Sequence, residues 1–96
     1  MLTIQNISRA FAEEAAEYPL VKAYLFGSRA RGDERPDSDV DIFLDVGQGF
    51  SLFDLCGLTN ALEHRLGVPC DVVTRRGLKD EVRINAEREE VLIYER

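Results

Sequence analysis

Two consecutive segments constrain this chain more than any other feature: an apolar run that closes on Gly27-Ser28, and an alternating acidic run that begins ten residues later. Alternate residues of a β-strand face the same way. The second run therefore predicts a strand with one core-facing side and one acidic side. The predicted core side carries Val40, Ile42, Leu44 and Val46, and the acidic side carries Asp39, Asp41, Phe43 and Asp45.

The Gly27-Ser28 pair follows Val21, Ala23, Tyr24, Leu25 and Phe26 and precedes a short Arg/Ala segment. This pattern predicts a strand that turns into a helix over residues 28–31. The first backbone N–H groups of a helix have no partner within it, and such a turn binds anions, phosphate above all. The turn is therefore a candidate phosphate site.

Asp39 and Asp41 are separated by about 6.6 Å along a strand and point the same way. If their carboxylates converge to about 4 Å, they repel by about 4 kcal/mol at an effective dielectric constant of 20. A divalent cation between them removes this cost, and carboxylate oxygens suit Mg²⁺ or Mn²⁺. An isolated Asp-x-Asp pair would more often be the solvated face of a strand, but the Gly-Ser turn upstream favours a metal site.

Gly27-Ser28, Ala30-Arg31-Gly32 and Ser38-Asp39-Val40-Asp41 together resemble the minimal nucleotidyltransferase (MNT) group of the polymerase-beta-like superfamily. The resemblance implies that the Gly-Ser turn holds a nucleoside triphosphate and that the Asp-x-Asp acids hold two divalent ions. It also implies a third carboxylate on a later strand, which Asp71 matches. Arg29, directly after the turn, is the arginine that we expect to bind the nucleotide beside Gly27 and Ser28.

The same resemblance implies a reaction, cofactors and a partner. The expected cofactors are two Mg²⁺ ions, or Mn²⁺, with ATP as substrate, and the catalytic residues are Asp39, Asp41 and Asp71. The small family members it most resembles are antitoxins that transfer AMP to a tyrosine of a HEPN ribonuclease toxin, which predicts a hetero-oligomer. Two alternatives stay open: a catalytically idle antitoxin that acts by binding, and an adenylyltransferase that modifies a small molecule with another subunit.

The remaining patterns predict a single domain, residues 1–96, with an α/β (α+β) fold in which helices pack on a small mixed sheet of three or more strands. Helices are expected over residues 3–17 and from Ser51 to Leu66, the second with its leucines, Leu52 included, on one side and Gly67 at its end. A third strand is expected over residues 68–74, with Asp71 near its beginning. A weakly amphipathic helix follows Gly77. The apolar segment 91–94 either closes the core or stays exposed for a partner.

Composition excludes several classes of protein. With 12 Lys and Arg against 18 Asp and Glu, the net charge of −6 gives no basis for gripping duplex DNA. Cys56 and Cys70 lack metal-site spacing, so both are expected to be reduced, small core residues of a cytoplasmic protein. No signal segment and no apolar stretch of about 20 residues is present, which predicts that the protein does not associate with membranes.

Overall fold

The computed structural model describes residues 2–74 and 90–96, and the helix predicted after Gly77 lies outside them. The elements within the described residues are α1 (Ile4–Ala15), β1 (Leu20–Phe26), α2 (Ser28–Arg31), β2 (Val40–Val46), α3 (Leu52–Leu66), β3 (Cys70–Thr74) and β4 (Val91–Glu95).

The strands form one sheet in the order β3-β2-β1-β4. β1 pairs antiparallel with both β2 and β4, whereas β2 and β3 run parallel. A parallel pair needs a crossover connection, and α3 is that connection. The sheet is therefore mixed, as the sequence predicted.

Both long helices begin with reciprocal side-chain caps. Thr3 accepts a hydrogen bond from the Asn6 amide and the Asn6 side chain accepts one from the Thr3 amide, which fixes the start of α1. Ser51 and Asp54 form the same arrangement before α3. α3 ends at Gly67, whose φ of 74° lies in the left-handed region.

The core lies between one face of the sheet and the helices α1 and α3. It is built from side chains on β1 and β2 that pack against the inner sides of both helices. The largest fully buried ones include Ile7, Phe11, Leu20, Leu25, Ile42, Leu44, Leu58 and Leu62.

Leu52 does not belong to this core. Its side chain is 74% exposed, and that of the next residue, Phe53, is 90% exposed. The helical spacing predicted Leu52 on the buried side, and this prediction is wrong. The side chains of the first turn of α3 are thus largely exposed, whereas Leu58 and Leu62, further along, are fully buried.

The acidic side of β2 is not only acidic. Phe43 is fully buried, although the alternation placed it beside Asp41 and Asp45. It stacks on Tyr24 at 4.9 Å between ring centroids and contacts Phe26 at 5.7 Å. Aromatic rings from β1 thus cover the middle of this face, and polar groups lie toward its two ends, at Asp41 and Asp45.

The apolar segment 91–94 forms β4 beside β1 and mainly closes the core. Ile93 is buried, its carbonyl accepts a hydrogen bond from the Ser8 hydroxyl at 2.6 Å, and Tyr94 packs against Phe11. Leu92 stays 48% exposed. Of the two interpretations left open by the sequence, core closure describes most of the segment.

Both cysteines are free thiols, but only Cys70 is buried. Burial raises the pKa of the Cys70 thiol to about 11, so it stays protonated at neutral pH. Cys56 is exposed on α3, and its predicted place in the core is wrong. Within residues 2–74 and 90–96, the helices are all too short or too polar to cross a membrane.

Candidate active site

Three acids lie near one another where β2 and β3 begin. Asp41 and Asp71 are direct partners in the parallel register of these strands, so their side chains leave the same face of the sheet. Asp39 lies just before β2 and two residues from Asp41. Asp41 and Asp71, which are 30 positions apart in the sequence, are therefore neighbours in the sheet. Asp39 and Asp71 are exposed, whereas Asp41 is half-buried.

Gly27 brings the turn after β1 directly against Asp41. Phe26 is the register partner of Asp41 on the antiparallel neighbour, so the next residue, Gly27, passes over the carboxylate. A β-carbon at position 27 would overlap Asp41 Oδ2 and lie 3.2 Å from its Cγ. The φ of 75° and ψ of −157° at Gly27 also belong to a region that only glycine adopts readily. Close approach and backbone conformation both require glycine here.

The Asp41 carboxyl has a pKa raised to about 6. Burial is the largest cause, followed by the negative charges of Asp71 and Asp39, and Arg31 opposes them. Because the neighbouring acids make the ionised form of Asp41 costly, a cation at this place would relieve an existing repulsion.

α2 is a single helical turn that carries the Gly-Ser pair into position. The Gly27 carbonyl accepts hydrogen bonds from the amides of Ala30 and Arg31, each at 3.1 Å. The turn then closes at Gly32, whose left-handed φ of 88° lets its amide donate to the Ser28 carbonyl. Ser28 is the first residue of this turn and directly follows Gly27.

Arg29 points away from the expected role of a nucleotide ligand. Its side chain is only 5% exposed, and its guanidinium donates to the carbonyls of Ser38 and Pro36. A direct contact between Arg29 and a triphosphate stays a prediction, since these partners belong to the loop before Asp39.

The start of β3 is held by contacts that the sequence did not reveal. The Glu63 carboxylate accepts a hydrogen bond from the Cys70 amide at 2.9 Å, and the Pro69 carbonyl accepts one from Val40 at 2.9 Å. These bonds hold the residues beside Asp71 to α3 and to β2. Glu63 lies seven residues from Cys70, and no local pattern marks such a pair.

The residues present suit divalent metal ions by their chemistry. Asp39, Asp41 and Asp71 supply hard carboxylate oxygens near one another, and burial first, then the charges of Asp71 and Asp39, raises the pKa of Asp41. Within residues 2–74 and 90–96, no three His, Cys, Asp or Glu side chains are yet gathered closely enough to hold an ion. For these residues to hold an ion, their carboxylates would have to lie closer together.

Sequence comparison identifies the family of the chain. Residues 4–93 match the nucleotidyltransferase domain family. The protein adenylyltransferase MntA of Thermococcus cleftensis is 34% identical over 91 residues, which are 94% of this chain and 92% of that protein. A candidate protein adenylyltransferase of Methanocaldococcus jannaschii is 37% identical over 73 residues, 76% of this chain and 78% of its own length.

Solved structures share the fold. A candidate minimal nucleotidyltransferase superposes with a TM-score of 0.80 at 34% identity, covering 94% of this chain and 95% of the other. A complex of tri-AMPylated Shewanella oneidensis HEPN toxin with MNT antitoxin matches with a TM-score of 0.75 at 17% identity, covering 98% of this chain and 74% of the other. The family match covers most of the chain, and the chain has acids on paired strands with a glycine turn against them. The chain therefore belongs to the nucleotidyltransferase domain family.

Proposed function

We propose that this chain is a metal-dependent protein adenylyltransferase that moves AMP from ATP onto a hydroxyl of a partner protein. The observation that carries the proposal is the contact of Gly27 with Asp41, which is itself the register partner of Asp71. In this proposal the turn binds the phosphates and the acids bind the ions, and their closeness supports nucleotidyl transfer, which needs both groups in one small volume.

The chain's own residues divide the work. Gly27 allows the triphosphate to approach the backbone closely, and Ser28 contributes its hydroxyl and amide to the phosphate oxygens. Asp39 and Asp41 would hold the ions together with the triphosphate, and Asp71 would complete the ion site on the acceptor side. Mg²⁺ or Mn²⁺ bound there would neutralise phosphate charge and favour the ionised acceptor oxygen.

The reaction exchanges one phosphorus–oxygen bond for another. The acceptor oxygen forms a bond to the α-phosphorus, and the bond from the α-phosphorus to the oxygen that leads to the β-phosphate breaks. Pyrophosphate leaves with the bonding electron pair. The acceptor proton passes to Asp71 or to water.

The acceptor that we propose is a HEPN-domain toxin, so the chain would be its antitoxin. The support is the relationship to an MntA protein adenylyltransferase and the shared fold with the MNT antitoxin of a HEPN complex. The net charge of −6 suits a basic partner such as a ribonuclease.

The test is transfer of label in a defined mixture. The chain is incubated with ATP labelled at the α-phosphate, Mg²⁺ and a candidate HEPN-domain partner, and the masses of both proteins are then measured by intact mass spectrometry. We expect label on the HEPN protein, added in steps of one AMP. The double variant Asp39→Asn/Asp41→Asn is the control for catalysis.

Other results point elsewhere. Inhibition of the HEPN protein without label, equal in the wild type and the double variant, would indicate an antitoxin that acts by binding alone. Label that appears only on an added hydroxylated metabolite would indicate a small-molecule adenylyltransferase. Either result would overturn the proposed acceptor.

A further inference from the structure

Arg29 is a charged residue that is almost fully buried, where desolvation of its charge is unfavourable. Its side chain is 5% exposed, whereas Arg31 and Arg35 on the same stretch are exposed. Removing a guanidinium from water costs several kcal/mol, so fixed partners must offset the cost. An arginine that waits at the surface for a phosphate group would not need such partners.

The partners of Arg29 are backbone carbonyls of one loop. Nε and Nη2 both donate to the Ser38 carbonyl, at 3.0 and 2.8 Å, and Nη2 also donates to the Pro36 carbonyl at 3.3 Å. Both bonds to Ser38 come from adjacent nitrogens of the planar guanidinium. A lysine has one compact head and cannot reproduce this fork.

The carbonyl that Arg29 holds belongs to the peptide group that begins Asp39. The same residue, Ser38, is tied back to the loop because its hydroxyl accepts from the Arg35 amide at 2.8 Å and its amide donates to the Arg35 carbonyl at 3.0 Å. On the other side of Asp39, the Val40 amide donates to the Pro69 carbonyl. Asp39 is thus held on one side to α2 and on the other to the start of β3.

We propose that Arg29 is a positioning residue: its buried guanidinium sets where Asp39 stands relative to the Gly27-Ser28 turn, and it does not itself contact phosphate. This inference rests on the proposed function for its meaning, but its geometry concerns the protein alone. The proposed role of Arg29 is thus a contact within the protein, which aligns Asp39 with the Gly27-Ser28 turn, in place of a direct contact with the nucleotide. Metal affinity is therefore the property that Arg29 should control.

The test compares Arg29→Lys with Arg35→Lys, an equal change on the exposed side of the same loop. Three properties are measured in the whole chain: amide hydrogen exchange of residues 33–41, Mn²⁺ affinity by electron paramagnetic resonance, and ATP affinity without metal. For Arg29→Lys we expect faster exchange and Mn²⁺ binding weakened by about tenfold, the lower end of what loss of a supporting hydrogen bond costs a metal site. ATP affinity without metal should hardly change, and Arg35→Lys should match the wild type throughout.

Wild-type protein supplies a second measurement, which does not depend on a variant that folds. With ¹⁵N-labelled arginine, the Arg29 Nε–H should exchange slowly with water and keep its chemical shift as ATP is added. A signal that moves or loses protection as ATP is added would show a phosphate contact and overturn the proposal.

Two results from the variants would also overturn it. One is normal Mn²⁺ binding and exchange with weakened ATP binding in Arg29→Lys, and the other is identical behaviour of the two lysine variants. If Arg29 acts by positioning Asp39, Arg29→Lys should lower kcat for AMP transfer at a fixed metal concentration and leave KM for ATP nearly unchanged. If the wild type transfers no AMP, the proposed function fails, whereas the exchange and Mn²⁺ measurements still decide the role of Arg29.

Discussion

The two faces of β2 have opposite effects on the stability of the fold. On the helix side, Val40, Ile42 and Leu44 are fully buried and stabilise the fold by packing. On the other side, Asp41 lies near Asp71 and Asp39, and burial first, then the charges of these two acids, makes its ionisation costly. Packing on the buried face offsets the free energy that repulsion between the acids costs. Four experiments can separate the stabilising packing from the destabilising repulsion.

Removing two acids should have the largest effect on activity. Asp39→Asn/Asp41→Asn should lower AMP transfer by about 10³-fold, because several kcal/mol of charge stabilisation in the transition state depend on the ions they hold. The metal-free double variant should melt at a higher temperature than the wild type, since the repulsion is gone. A lower melting temperature without metal would mean that the acids do not strain the fold.

A core truncation should do the reverse. Leu58→Ala, at a fully buried position of α3, should lower the free energy of unfolding by about 3 kcal/mol, because it leaves a cavity. Transfer per folded molecule should stay near the wild-type rate at low temperature. Phe53→Ala on the same helix is the control: its side chain is 90% exposed, and urea titration should show a change within about 0.5 kcal/mol.

Gly27→Ala should impair both functions of the strand at once. The added methyl group would overlap Asp41 Oδ2, and the backbone conformation there is strained for alanine by about 1 to 3 kcal/mol. We expect transfer to fall by about 10²-fold, the loss that a misplacement of about 1 Å can cause. Gly32→Ala shares the positive φ, but a β-carbon there meets nothing within 4 Å. It should lose stability with little loss of transfer, and equal loss in both variants would contradict the role of the contact.

The smallest predicted effect is the pH dependence of metal-free stability. The Asp41 pKa is raised in the folded chain to about 6 from an ordinary 3.8, so folding favours the protonated form. Its contribution is present below pH 4 and is lost as the pH rises through 6. A shift of two units corresponds to about 3 kcal/mol, and solvent screening of this half-exposed group reduces the expected loss to about 1 kcal/mol.

The measurement is a series of thermal melts between pH 4 and 7.5 in chelator, with Asp41→Asn as the control. The melting temperature of the wild type should fall across this interval more than that of the variant. Saturating Mg²⁺ should remove the difference, because the ionised carboxylate then has a partner. Parallel curves for the two proteins would contradict the assigned pKa.

Local patterns in the sequence predicted most elements because their causes are local. The cap at Thr3, the cap formed by Ser51 and Asp54, and the left-handed Gly67 are each set by residues within a few positions. The alternation in residues 39–46 likewise predicted β2 and the side on which its acids lie. The assignment of Asp71 needed the family resemblance, because its neighbour Asp41 is 30 residues away.

The features that the sequence did not reveal, and the wrong prediction for Leu52, depended on distant contacts. Phe43 is buried by rings from β1, which no pattern within β2 could indicate. Leu52 satisfies the helical spacing but stays exposed, because burial depends on which part of the helix packs against other elements. Burial of Arg29 depends on a loop that folds back over it, and an arginine beside a phosphate-binding turn gives no local sign of that.

The hydrogen bond from the Cys70 amide to Glu63 has a consequence for how the protein could be controlled. Glu63 stands on the last turn of α3, so a small rotation of that helix would shift the strand that bears Asp71. A protein bound to the outer surface of α3 would thereby change the distance between the acids without contacting them. Activity would then be controlled through α3, on the side of the sheet opposite the acids.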